Sequence, residues 1–188
     1  MVAENKGIIK NSHGLLSLKD NIHTILYGKN CEKEKLKGQF FYIADTPQYM
    51  KEIGLTGDYF SIRYGVITRH KNKDEDHNLS EQNWINLCKK TTTPFAITKS
   101  ENTFRLYTDV QINNKYIVAC VSIKNIRKNQ NINTITTVFG YKKRPITREL
   151  LYKVKKITPE QAALLDKPNA MSLPPVQRLT VKHSVQLK

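Results

Sequence analysis

Leu15, Leu18, Ile22, Ile25 and Leu26 recur at the spacing of one helix face, and Gly28 supplies a stop behind them. Residues 29–37 mix basic and acidic side chains and read as a hinge. Residues 39–43, with Phe40, Phe41 and Tyr42 together, read as a buried strand. Thr46 and Pro47 then open a short helix, because threonine can accept from a free amide and proline's fixed φ suits the first turn. Tyr49, Met50 and Ile53 give that helix an apolar face, and Gly54 ends it. Residues 59–67 are strand-like and run into a charged loop over 69–78. Ser80 caps the next helix, with Glu81 in its first turn and Trp84, Leu87 and Cys88 facing inward.

After Pro94 the period changes. Residues 95–99, 103–110, 115–123 and 133–139 are four β-like runs, with turn chemistry at 100–102 and at Asn113-Asn114. Leu150, Leu151 and Val154 suggest a short helix, and Thr158 with Gln161 has the form of a capping box. From Lys167 onward, with Pro168, Pro174 and Pro175, little regular structure is expected. Helices followed by an antiparallel meander predict an α+β fold. The expected division is a helical extension over 1–38, an α+β domain over 39–144, and basic C-terminal helices and tail over 145–188.

Charge narrows the partners. The 188 residues hold 31 lysines and arginines against 16 acids, a formal net charge of +15, and 39% are hydrophobic, enough for a core. Residues 141–188 carry 11 basic and 3 acidic side chains, +8 of that surplus. Such a bias suits an anionic partner, although a lysine-rich composition alone also produces basic proteins. No apolar run approaches the ~20 residues of a membrane span, so no membrane partner is expected. Residues 1–10 lack the apolar stretch of a secretory signal. Cys31, Cys88 and Cys120 are odd in number and far apart, so neither a disulfide framework nor a zinc cluster is expected, and no cofactor.

Two segments hold chemistry. His70 and His77 lie seven residues apart in the charged segment with Lys71 and Lys73. Histidine accepts and donates protons near neutrality, and a pair of acid–base groups suits ribonucleases that work without metal. The lysines would stabilise charge developing on the phosphate. The same residues also suit a solvated surface loop. In residues 103–109, alternation sends Phe104, Leu106 and Thr108 to one face and Arg105, Tyr107 and Asp109 to the other. That second set places a phosphate-binding fork, a phenol and a carboxylate on an open sheet face, or makes an ordinary surface ion pair there. In the last run Ile135, Thr137 and Phe139 share one face, and Thr136 and Val138 the opposite one.

These residues also carry a resemblance. Thr46-Pro47 with Tyr49, His70 with Lys73, His77 and Asn78, Trp84, Pro94, Arg105 with Tyr107, and residues 136–139 resemble the phage and polymorphic-toxin nucleases of the barnase–EndoU–colicin–RelE-like superfamily. The pattern spans residues 44 to 144, a little over half the chain. It implies N-terminal helices packed on a twisted four-stranded antiparallel sheet, with a basic C-terminal extension. It also implies metal-independent cleavage of RNA, tRNA in particular, leaving a 2′,3′-cyclic phosphate. His70 or His77 would act as general base or acid, Arg105 would hold the scissile phosphate, and Thr137 would complete the catalytic set. Lys71, Lys73, Tyr107, Thr136 and Lys124 would bind substrate. An acidic immunity or antitoxin protein is the implied partner, and the cytoplasm the implied site of action, with the domain phage-encoded or delivered within a larger toxin. The alternative from another class is a non-catalytic basic accessory protein of phage that binds RNA or protein.

Overall fold

The computed structural model describes residues 16–71, 79–101, 103–127, 130–141 and 149–153, with 158, 159 and 161. In chain order the elements are β1 (Leu16–Ser17), α1 (Leu18–Tyr27), α2 (Asn30–Leu36), β2 (Phe40–Asp45), α3 (Gln48–Glu52), β3 (Tyr59–Arg63) and α4 (Tyr64–Lys71). They continue with α5 (Glu81–Lys90), β4 (Ala96–Ser100), β5 (Thr103–Ile112), β6 (Lys115–Arg127), β7 (Gln130–Tyr141) and β8 (Glu149–Lys153).

The described strands form one mixed eight-stranded sheet in the order β1-β2-β3-β7-β6-β5-β4-β8. This overturns the expected four-stranded antiparallel sheet. The meander β4–β7 is present and antiparallel, but β3 joins its β7 edge in parallel and β8 joins its β4 edge antiparallel. β2 pairs antiparallel with β3, and β1 pairs parallel with β2. The physical reason is the edge: a four-stranded meander leaves two rows of unpaired amides and carbonyls, and here further strands cover both.

Local chemistry explains most elements. In α1 the apolar stripe Leu18, Ile22, Ile25 and Leu26 is buried, and the Gly28 amide donates to the Thr24 carbonyl at 3.0 Å. The expected hinge at 29–37 is instead mostly helix α2, opened by the Lys29 amide donating to Glu32 Oε2 at 2.9 Å. Its Glu and Lys residues are good helix formers, so their charge misled the periodicity argument. Ser80 caps α5 as expected, accepting from the Asn83 amide at 3.2 Å. Thr158 and Gln161 bond reciprocally, at 2.9 and 3.2 Å, as a capping box. The run 59–67 breaks at Arg63, where β3 ends and α4 begins without a loop. Leu150 and Leu151 belong to strand β8 rather than a helix.

One large core lies between the helices and one sheet face. It joins Ile22 and Ile25 of α1, Met50 of α3, Ile67 of α4 and Trp84 and Leu87 of α5 to Phe60, Leu106 and Ile135 of the strands. A second, smaller cluster contains Phe95, Ala96, Tyr107, Tyr116 and Val118, with Phe139 packed against it. Bulges alter the alternation expected from sequence. β7 holds one extra residue between Ile135 and Thr137, so Ile135 and Val138 both reach the large core while Phe139 joins the smaller cluster.

Candidate nucleic-acid interface

The exposed cations of β3 and α4 gather where β3 stops. Arg63 is the last residue of β3, and the Tyr64 amide, first in α4, donates to the Gln39 carbonyl at 3.1 Å. β3 is paired to β7 only as far as Ile62 against Ile135. Beyond that point α4 takes the place of a strand: Arg69 Nη2 donates to the Thr136 carbonyl at 3.2 Å, and Nε donates to Gly65 at 2.9 Å. The space left beside this junction is a cleft of about 820 Å³.

Lys37, Arg63 and Arg69 line it, together with Phe40, Tyr64 and the threonines 68, 134 and 136, and among the described residues no lining residue is acidic. Arg63 Cζ lies 5.2 Å from the centre of the Phe40 ring, a cation–π distance. Lys37 also pairs with the exposed Glu34 at 3.4 Å. Burial and the nearby Glu34 carboxylate raise the Tyr64 phenol above its usual value, against the pull of Lys37, so the phenol is neutral at pH 7. Thr134 Oγ1 and Ser61 Oγ are buried 3.2 Å apart, and Thr136 Oγ1 donates to the Cys120 carbonyl at 3.3 Å. Arg63, Arg69 and Phe40 were not singled out from sequence as one site. The signal available was weak, because the parallel β3–β7 pairing that assembles them is invisible to local patterns.

The residues expected from sequence fall into three groups. Arg105 and Thr137 sit on neighbouring strands of Cys120, in register with it on either side, so their Cα atoms are two strand spacings apart, about 10 Å. Arg105 Cζ lies 5.3 Å from the Phe139 ring centre, and Thr137 is exposed. His70 and Lys71 form the end of α4, directly after Arg69, and Lys124 is in β6 opposite Ile132. His77 and Lys73 lie outside the described residues.

Tyr107 does not share an open face with Arg105 and Asp109. It is 1% exposed and meets Phe95 and Tyr141 ring to ring, at 6.2 and 5.4 Å. Two extra residues in β5 between Tyr107 and Gln111 shift the strand, and Asp109 pairs with Lys90 of α5 at 2.8 Å. Among the described residues no group of three His, Cys, Asp or Glu is placed to hold a metal ion.

No family model, curated protein or solved structure matches this chain. Guanidinium groups suit phosphate oxygens through paired donors, the lysine adds a point charge, and the aromatic rings offer flat apolar faces. The combination suits a polyanion that also carries planar groups.

Proposed function

We propose that this chain binds RNA in the basic cleft and cleaves it at the adjoining junction of α4 and β7, as a metal-independent endoribonuclease toxin domain. The observation that carries the reading is the Arg69–Thr136 bond at 3.2 Å. It seats the last turn of α4, where His70 follows Arg69, on the strand that holds Thr137. Arg105 stands two strands away on the far side of Cys120. The reading rests on this local chemistry, since the sheet differs from the one the resemblance implies.

In the proposed reaction a histidine, His70 by preference, removes the 2′-hydroxyl proton. The freed oxygen attacks phosphorus, the bond to the 5′-oxygen breaks, and a second acid, His77, protonates the departing oxygen. Arg105 and the lysines 71, 73 and 124 hold the negative charge that accumulates on the phosphate, and Thr137 donates to a phosphate oxygen. An acidic immunity protein would compete for the same cations.

A second reading is favoured by a specific observation. Arg69 already donates to two backbone carbonyls and Arg105 packs on Phe139, so both forks are partly committed to structure. That suits a non-catalytic RNA-binding protein. Incubation with total tRNA in EDTA separates the two. Cleavage to cyclic-phosphate ends that is lost in His70→Ala and His77→Ala establishes the nuclease. Retarded but intact tRNA establishes the binder, and tRNA neither retarded nor cut overturns both.

A further inference from the structure

We infer that the cleft takes an unpaired nucleotide, its base stacked on the Arg63 guanidinium that Phe40 backs, and its phosphate on Arg69. The inference rests on the RNA-binding reading and names which form of RNA the cleft accepts.

Three features point this way. Arg63 is exposed, lies 5.2 Å from the Phe40 ring centre, and has no ion pair with a carboxylate among the described residues. A guanidinium held on an aromatic ring presents a second plane to the cleft, and bases stack on such planes when they are free of a duplex. Arg69 is fixed by its bonds to Gly65 and Thr136 and keeps further donors for a phosphate. The cleft, at about 820 Å³, falls within the range that encloses small ligands and has room for a nucleotide. A base-paired helix exposes its phosphates but keeps its bases stacked inside, so it reaches the cations and not the shelf. The site therefore discriminates single strands from duplexes.

Gly65 supplies a test that does not depend on removing a contact. It lines the cleft, and a Cβ built on it meets nothing within 4 Å. Its φ is not in the left-handed region, so a larger residue is compatible with α4. Gly65→Leu should fold normally while narrowing the mouth of the cleft.

The experiment measures anisotropy of a labelled 2′-O-methyl oligonucleotide, which lacks the hydroxyl needed for cleavage, as a single strand and as a duplex of the same sequence. The intact chain should bind the single strand at least tenfold more tightly. Phe40→Leu and Gly65→Leu should each weaken single-strand binding about tenfold and leave duplex binding unchanged. Arg69→Gln should weaken both forms. Equal affinity of the intact chain for the two forms overturns the inference and leaves RNA binding standing. Unchanged single-strand affinity in Phe40→Leu and Gly65→Leu, with melting temperatures intact, also overturns it. Failure of the intact chain to bind either form overturns the RNA-binding reading itself.

Discussion

Asn133 shows how much one buried polar side chain can organise. Its amide nitrogen donates to Thr46 Oγ1, the Leu55 carbonyl and the Gly57 carbonyl, at 2.8, 3.3 and 3.1 Å, and its oxygen accepts from the Gly57 amide at 3.2 Å. Thr46, expected to cap α3, instead spends its hydroxyl on Asn133, and Pro47 takes the cap position without a side-chain bond. Asn133→Leu strands those backbone groups and should cost about 3 kcal/mol in urea unfolding; a loss under about 1 kcal/mol would refute the role. Burial pushes the Tyr49 phenol well above its ordinary value, and the phenol donates to the Thr92 carbonyl at 2.8 Å. The folded state thus favours the neutral form. The resulting stability is fully present below pH 10, the ordinary phenol value, and declines as pH rises beyond it because the unfolded chain ionises first. Tyr49→Phe should be about 1 kcal/mol less stable at pH 7, with the gap closing above pH 10 in paired denaturation curves. Cys88 is buried, with its thiol pushed up to about 12, and Cys120 is also buried, whereas Cys31 is exposed. A thiol reagent at pH 8 should label Cys31 alone until the chain unfolds, a count mass spectrometry gives directly.

Elements differ in how openly the sequence declares them. α1, α5 and the four meander strands were readable because each has a local signal: an apolar stripe, a capping serine, or alternation broken by a turn. The Asn113-Asn114 turn is of this kind, with φ of +49° and +59° at the two residues. Positive φ favours glycine, so Asn114→Gly should raise stability by about 0.5 kcal/mol in a thermal melt, and a drop would mean that its side chain matters more than its backbone. β8 was not readable. Leu150 and Leu151 match a helix face as well as a short strand, and only the open edge of β4 decides between them, while Val154 lies outside the described residues. The same holds for the cleft. His70 and Arg105 were singled out by side-chain type and Thr137 through the resemblance, whereas Arg63, Arg69 and Phe40 meet only through pairing between distant strands. Asp109 was misplaced by the bulge in β5, since two added residues leave no mark on composition, and Tyr107 by the second aromatic cluster that covers its face.

At the scale of the whole molecule, charge and topology lead to separate expectations. If Lys37, Arg69 and Arg105 each neutralise one phosphate, the logarithm of the RNA affinity should fall with the logarithm of salt concentration at a slope of about −2, and Arg69→Gln should flatten it by roughly 0.7. A slope near zero in a salt titration would mean that the +15 surplus has another cause. Topology bears on how the chain is made. The β5–β6–β7 meander joins neighbours in sequence, while β3 meets β7 at contacts such as Ser61 with Thr134, 73 residues apart. Local hairpins close first and distant pairings last. During folding, then, β7 waits as a bare sheet edge until its parallel neighbour arrives, and that interval is when two half-made chains can recruit each other's strands. Refolding yield should therefore fall as protein concentration rises, and losing the Ser61–Thr134 contact should speed unfolding far more than it slows the first collapse.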